Sequence, residues 1–412
     1  MLFWLLLSLV AGQAVLVLGF AWALRKQPAQ LVSDTQAPPA LIILCLRGTD
    51  PFLPECVDGL LQQDYPDYEI RVVIDHPDDP AYEKVAAKLR SATSTRATIE
   101  FLEEKRATCS LKCSALVQVA ANLDERYELI AQLDADTVAH ATWLRELATA
   151  LADENVGAAT GNRWYMPQNP SMGSLVRYAW NAAAIVQMYW YEIAWGGTLA
   201  VKTRVLRETD VLQKWGNAFC EDTMMFAVLK EVGLKVRFVP TLMMINREDC
   251  RLGGFFRWVS RQLLTAKLYH PAWLAVWGHG VITTLAPAAT LGCWLCSAWQ
   301  GNTTAAMWAA AGLIGYELSL AVLLVPMEMA VQKIARRRAE PNRWLSTKSA
   351  LQCLAIMPLT QLIYPAALAA AGLMRTARWR GIDYRIDGPW QIKRLNYQPF
   401  ESQQETDQAV SL

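Results

Sequence analysis

A short apolar run, Leu129 to Leu133, ends in Asp134-Ala135-Asp136. Such a run reads as a buried strand that delivers two carboxylates at its C-terminal edge. Alternation along a strand sets residues i and i+2 on one side, so Asp134 and Asp136 face one ligand together. Two close carboxylates repel and are stable side by side when a cation sits between or beside them. A hard divalent ion, Mg²⁺ or Mn²⁺, suits one or two carboxylates completed by the phosphates of a substrate. A solvated turn after a strand is the alternative.

The segments around this run alternate strand and helix. Strands are expected over Ala40–Leu46, Tyr68–Ile74, Thr98–Leu102, Tyr127–Leu133, Val156–Asn162, Gly196–Val201 and Lys235–Val239. Helices are expected over Leu53–Gln63, from Asp78-Asp79-Pro80 onward, and over Cys109–Leu123, Ala141–Ala152 and Thr223–Val232, the last capped by Gly233. The alternation predicts an α/β, Rossmann-like domain with a mostly parallel sheet and helices on both faces. In such sheets ligands bind outside the carboxyl ends of the strands. Asp75 and the Asp134/Asp136 pair both sit at such ends, so one nucleotide can touch all three.

The chain has 412 residues and a net charge of +1, which makes no case for nucleic acid. Its first 24 residues carry no charge and are followed by Arg25-Lys26. That length crosses a hydrocarbon core, and the basic pair places the C-terminal side of this helix in the cytoplasm. A cleaved signal peptide is the competitor, but a charged n-region is missing. Gln27–Pro39 reads as a linker. Arg247–Pro271 reads as a basic, amphipathic interfacial helix that brings Arg257 and Arg261 near the phosphates. Ala272–Trp299 and Thr303–Val331 are spans joined by an uncharged Gln300-Gly301-Asn302 link, and the basic Lys333–Lys348 belongs inside. Ser349–Met374 is apolar but interrupted by Pro358 and Pro365. The cations after it favour the cytoplasm, so a re-entrant or interfacial segment fits better than a crossing. Glu317 lies within a span as a polar contact or a functional residue. Met172–Trp195, rich in tyrosine and tryptophan, either lies on the membrane, lines an apolar acceptor cleft, or is a plain buried helix. Nine cysteines show no disulfide spacing, which fits a reducing compartment. Cys293-x-x-Cys296 reads as membrane packing, and Cys109 and Cys113 as unpaired thiols. The expected organisation is an anchor (1–26), the α/β domain (38–250), the amphipathic helix (251–271), membrane helices (272–374) and a basic cytoplasmic tail (375–412).

The α/β region resembles the family 2 inverting glycosyltransferases of the GT-A fold, and more closely their ceramide glucosyltransferase-like branch. The stretches that carry this are Arg47-Gly48-Thr49-Asp50-Pro51, Leu61–Pro66, Tyr68-Glu69-Ile70, Asp75-His76-Pro77-Asp78-Asp79-Pro80-Ala81, Lys112 before its helix, Asp134-Ala135-Asp136, Glu221-Asp222, and Trp379-Arg380-Gly381 with Tyr384. The likeness covers about residues 38 to 271 and part of the tail. It implies that Asp75, or else Asp78 or Asp79, binds the uracil or ribose of a nucleotide. It also implies that Asp134 assists nucleotide or metal binding, that Asp136 ligates the metal and that Asp222 is the base of a direct displacement. Lys112, Glu221, Trp258, Arg261 and Gln262 join the donor-binding set. One departure stands out. The family's (Q/R)-x-x-R-W motif reads here as Trp258-Val259-Ser260-Arg261-Gln262, with Arg261 kept and the tryptophan and glutamine exchanged.

The function so implied is metal-dependent transfer of a hexose, glucose first, from a UDP-sugar to a lipid hydroxyl such as that of ceramide. Transfer to polyprenyl phosphate or a hopanoid-type lipid is the alternative within the class. Outside it stands a catalytically inactive, nucleotide-binding membrane scaffold, against which the retained Asp134, Asp136 and Asp222 argue.

Overall fold

The computed structural model describes residues 2–26, 30–92, 96–169, 171–341 and 346–400. Met1 of the expected anchor, 27–29 of the linker, 342–345 of the basic loop and 401–412 of the tail lie outside the described residues.

The helices are α1 (Leu2–Arg25), α2 (Leu53–Leu61), α3 (Ala81–Ala92), α4 (Leu111–Ala121), α5 (Trp143–Leu151), α6 (Met172–Trp190), α7 (Thr203–Glu208), α8 (Val211–Trp215), α9 (Met225–Glu231), α10 (Leu252–Tyr269), α11 (Trp273–Trp299), α12 (Thr303–Arg337) and α13 (Thr347–Leu373). The strands are β1 (Ala40–Leu46), β2 (Tyr68–Ile74), β3 (Ala97–Phe101), β4 (Leu129–Leu133), β5 (Val156–Tyr165), β6 (Thr198–Lys202), β7 (Lys235–Asn246), β8 (Thr376–Trp379), β9 (Ile382–Gly388) and β10 (Gln391–Arg394).

Seven strands form one sheet in the order β3-β2-β1-β4-β6-β5-β7. β1 runs parallel to β2 and β4, and β2 parallel to β3. β6 is antiparallel to both β4 and β5, while β5 and β7 are parallel. The mixed, mostly parallel sheet follows from continuous apolar strands such as β1 (ALIILCL) and the fully buried β4, each covered on both faces. One face packs on α4 and α10, the other on α2 and α5. β5 and β7 run several residues past their expected ends, to Tyr165 and Asn246, and carry Arg163 to the edge where β4 stops.

Four helices are long and apolar enough to cross a membrane: α1, α11, α12 and α13. The C-terminal halves of α1 and α12 pack through Phe20, Leu24, Met327, Val331 and Ile334 against Trp164 and Tyr178 of the α/β domain. Their opposite ends stand clear of it, where the Phe3 ring meets Trp308 at 5.5 Å and Trp299 is 88% exposed. Large exposed indoles at that far end suit a second membrane–water interface.

α13 behaves differently. Pro358 and Pro365, expected to interrupt it, lie inside one continuous helix. Cys353 near its start packs with Trp164 and Tyr178. Near its end, the carbonyls of Ala371 and Gly372 accept from Lys267 Nζ of α10 at 3.4 and 2.7 Å. Both ends of α13 therefore rest on the α/β side.

Part of the expected basic tail is folded. Residues 376–394 fold into a three-stranded antiparallel sheet, β10-β9-β8, bound to the α/β domain. The reason is period-two alternation: Ala377, Ile382, Tyr384, Ile386 and Ile392 are buried while Arg378, Arg385 and Lys393 face out. Arg380 and Gly381 join β8 to β9 with φ of 49° and 77°. Two successive left-handed residues make the tight hairpin turn.

Candidate active site

Lys112 organises the centre. Ser110 caps α4, its hydroxyl accepting from the Cys113 amide at 3.2 Å, so Lys112 leaves from the first turn. Its Nζ lies 2.6 Å from Asp134 Oδ1, 2.7 Å from Glu221 Oε1 and 3.2 Å from the Gly196 carbonyl. Burial works against the ammonium charge, but Asp134 and Glu221 outweigh it and hold Lys112 well above its ordinary range. Burial likewise opposes the Asp134 charge, and Lys112 outweighs it and keeps that carboxyl low.

Asp136 is the carboxylate this lysine does not serve. Burial, with Asp134 and Asp50 nearby, pushes it up to about 7. A half-buried carboxylate held high by its surroundings fits a cation, because a divalent charge there relieves the repulsion. Among the described residues no three His, Cys, Asp or Glu side chains converge as a ready-made metal cage. The donor set therefore fits an ion bound by one or two carboxylates and completed by substrate phosphates.

Asp222 stands on the other side of Gly196. Its Oδ2 accepts from the Gly196 amide at 2.7 Å, and its Oδ1 from the amide and hydroxyl of Thr223 at 2.5 and 2.9 Å. A Cβ on Gly196 would lie 2.0 Å from Glu221 Oε1, so only glycine allows this approach. Burial, partly offset by Lys112 and reinforced by Asp222, raises Glu221 to about 7.

The three acidic candidates after β2 separate cleanly. Asp75 lies on the cavity, ion-paired with Arg47 and 3.3 Å from the Tyr397 hydroxyl. Asp78 points outward, its side chain 86% exposed beside His76. Asp79 is buried within its own loop, where it accepts from the amides of Gly48 and Ala81 at 2.8 and 2.9 Å. Neither Asp78 nor Asp79 reaches the cavity, which corrects their expected place beside a nucleotide. Arg257 is exposed on the outer side of α10, whereas Arg261 lines the cavity, so only one of the two expected cations is in position.

Two cavities result. One, of about 160 Å³, is polar and lined by Asp75, Lys112, Asp134, Asp136, Arg261 and Arg380. Burial, together with the nearby Arg380 and Arg163 charges, lowers Arg261 to about 10. Such crowding of cations marks a place for polyanionic groups. The other cavity, of about 260 Å³, is mostly apolar and lies where α6 and α10 meet the membrane helices, between residues such as Leu16, Trp180, Leu324 and Met357. Arg163, Trp195, Asp222, Trp258, Gln262 and Thr265 line both cavities. The Arg163 guanidinium lies over the Trp258 and Trp195 rings at 4.6 and 4.8 Å, a cation–π bracket at the seam. Trp258 and Gln262 thus stay at the junction despite their exchanged positions, and α6 supplies one wall of the apolar cavity while burying its opposite face.

Sequence reasoning did not single out Arg163 or Arg380 as site residues. Arg380 donates to Asp50 Oδ1 at 2.6 Å, and its carbonyl accepts from Arg47 Nε at 2.8 Å. These contacts hold its left-handed backbone, a conformation that non-glycine residues adopt mainly where surroundings over-determine it. The arrangement offers a carboxylate able to take a proton at the seam, a cationic floor for phosphates and an apolar chamber beside them.

A match to the family described as glycosyl transferase family 21 spans residues 2–389. No curated protein matches the chain. Among solved structures, a mannosyltransferase from Pyrobaculum calidifontis in complex with GDP-Man and Mn²⁺ is 19% identical, the alignment covering 87% of this chain and 99% of that one, with a TM-score of 0.46. A glucosyl-3-phosphoglycerate synthase from Mycobacterium tuberculosis, in complex with Mn²⁺, UDP and phosphoglyceric acid, is 13% identical over 56% of this chain and 80% of that one, with a TM-score of 0.36.

Proposed function

The chain belongs to glycosyl transferase family 21, has the GT-A fold and is a glycosyltransferase; on that premise we propose that it moves a hexose, with inversion, from a UDP-sugar to the hydroxyl of a membrane lipid. One observation carries the reading: a cationic, carboxylate-bearing cavity and an apolar cavity among the membrane helices share Asp222 on their common wall. The polar cavity takes the nucleotide diphosphate and sugar, and the apolar cavity takes the acceptor's aliphatic part.

In this reading the acceptor hydroxyl reaches the seam beside Asp222. Its oxygen bonds to the sugar's anomeric carbon as the bond from that carbon to the diphosphate oxygen breaks. Asp222 accepts the hydroxyl proton, and the hydrogen bonds from Gly196 and Thr223 fix its oxygens for that transfer. The bond pair leaves with the diphosphate, whose growing charge faces Arg261, Arg163 and Arg380. Asp136, with Asp134, would hold a divalent ion, which when bound would supply charge neutralisation at the leaving diphosphate. Lys112 keeps Asp134 and Glu221 in place.

The membrane placement follows the same logic. α1, α11 and α12 cross, while α13 lies along the interface with both ends on the α/β side. The catalytic domain and the β8–β10 sheet then share one side with Arg25, Arg336 and Arg375, and that excess of cations supports a cytoplasmic side.

The test is a donor and acceptor screen on protein purified in detergent with Mn²⁺ or Mg²⁺. UDP-glucose, UDP-galactose and UDP-N-acetylglucosamine are each offered with ceramide, diacylglycerol and polyprenyl phosphate. Metal-dependent UDP release with a new glycolipid supports the reading. Product on polyprenyl phosphate alone replaces the lipid hydroxyl with the phosphate acceptor. Tight UDP binding without turnover on any pair favours the inactive scaffold.

A further inference from the structure

The apolar cavity has a definite depth. Its α12 wall is one face of that helix, Tyr316, Leu320, Leu324 and Met327, while Leu318, Val322 and Val325 on the other face are exposed. The Met327 end lies at the seam: Trp164, which follows Arg163 in β5, donates through Nε1 to Oε2 of Glu328, which follows Met327, at 2.9 Å. The opposite end is closed. Tyr316 is 2% exposed and packs with Leu6 and Ala286. One turn farther, a Cβ on Gly312 would lie 3.5 and 3.6 Å from the side chains of Phe3 and Leu6, so α1 and α12 are in ordinary contact there.

At about 1.5 Å per residue, Met327 to Tyr316 spans about 16 Å. α11 runs the opposite way and gives the same depth: Val276 lines the cavity and Ala286 closes it, about 15 Å apart. That is about half of a hydrocarbon core of about 30 Å, the depth of one leaflet. Polar bonds between helices hold the walls at this spacing. Gln187 Nε2 of α6 and His279 Nδ1 of α11 lie 3.0 Å apart. The Tyr364 hydroxyl of α13 donates to the Val276 carbonyl at 3.2 Å, and Gln361 Nε2 of α13 donates to Glu317 Oε1 of α12 at 2.9 Å. Such bonds fix helices in an apolar surrounding, so the chamber is formed before a ligand enters it.

We propose that this chamber gauges the acceptor: it takes one aliphatic chain about one leaflet long, and Tyr316, backed by Leu6 and Ala286, sets the longest chain it accommodates. This rests on the lipid-acceptor reading above and adds a chain-length specificity to it. A shorter chain leaves part of the lining without packing partners. A longer one meets the buried Tyr316 ring and must fold back into space already filled. A polyprenyl chain, which runs to several leaflet depths, meets the same floor. Tyr316 touches the far end of the chain and not the reacting atoms, so it is a specificity-determining residue.

The test uses single-chain hydroxyl lipids, N-acetylated sphingoid bases and monoacylglycerols, with chains of about 12, 16, 20 and 24 carbons. They are offered with UDP-glucose and Mn²⁺ to the full chain purified in detergent. The unaltered chain is expected to use chains of about 16 carbons best and to lose about tenfold in kcat/KM by about 24 carbons. Tyr316→Ala removes the floor and moves the optimum to longer chains. Leu320→Trp raises the floor by one helical turn and moves it to shorter ones. Each profile is a ratio within one variant, so a loss of folded protein cancels. A second measurement needs no turnover: a sphingoid probe of about 16 carbons with a diazirine at its chain terminus is photolysed with the unaltered chain, and the adduct is mapped by mass spectrometry. Adducts on residues 6–13 of α1 or around Tyr316 are expected. Adducts confined to other places overturn the inference. The same length profile in all three proteins also overturns it, while the transfer observed leaves the acceptor reading intact. Neither transfer to nor an adduct from any of these lipids overturns both.

Discussion

The Gly196 amide donates to Asp222 Oδ2 at 2.7 Å, while the Gly196 carbonyl accepts from Lys112 Nζ at 3.2 Å. One residue, through its two flanking peptide groups, thus ties the seam carboxylate to the cation that holds Asp134. Asp222→Asn keeps an acceptor for the Gly196 amide and loses the basic oxygen. Transfer is expected to fall by about 10²–10⁴-fold, while UDP affinity stays within about twofold. Steady-state rates and calorimetry check this, and an equal loss of UDP binding contradicts the assignment of Asp222 as base.

Lys112→Met leaves the buried Glu221 and the partly exposed Asp134 without their counter-ion. The expected effect is destabilisation, read as a lower thermal midpoint. Adding Glu221→Gln to that variant removes one stranded charge and restores part of the midpoint without restoring activity. Strictly additive losses argue against the coupling.

His270 follows α10, buried, with Nδ1 accepting from the Ala272 amide at 3.1 Å. Burial lowers its imidazole to about 4, against 6.5 for the ordinary group. Because the folded value lies below the unfolded one, the unfolded chain binds the proton more readily between them. The contribution is therefore complete above about pH 6.5 and is lost as pH falls toward 4. Thermal midpoints between pH 7.5 and 4.5 should decline less steeply in His270→Gln than in the unaltered chain; parallel curves remove His270 as the cause.

Removing divalent ions by chelation is expected to stop transfer, with Mn²⁺ or Mg²⁺ restoring it. Asp136→Asn should be inactive and should not recover with added ion. Full activity after exhaustive chelation rules out the role given to Asp136.

Trp258→Ala and Gln262→Ala address the exchanged motif. Both side chains line the seam, so each variant is expected to lower kcat/KM for the acceptor by roughly tenfold or more. Trp258→Phe keeps much of the packing and separates the ring's role from the truncation loss of about 3–5 kcal/mol. If both alanine variants retain full activity, the seam takes no part in acceptor handling.

Much of this was readable along the chain, for a definite reason. Asp75, Asp134 and Asp136 all follow apolar runs that can only be strands of one sheet, and strand ends converge. What escaped was contact across long separations. Asp79 has the same chemistry as Asp75 and is only four residues away, yet its carboxylate turns inward to cap two amides. Nothing in an acidic run reveals that choice. Arg163 was hidden because β5 continues past its expected end. The alternation of Ile382, Tyr384 and Ile386 was visible, but strands this short, arriving after four apolar helices, give no hint of where they dock.

Arg47 and Arg380 bond across 333 positions of sequence, and α11, α12 and α13 lie in the interval. The polar cavity is therefore incomplete until the chain has passed through those helices and returned with Arg380 and Tyr384. A chain that ends before them carries Asp134, Asp136 and Asp222 but lacks one wall of that cavity.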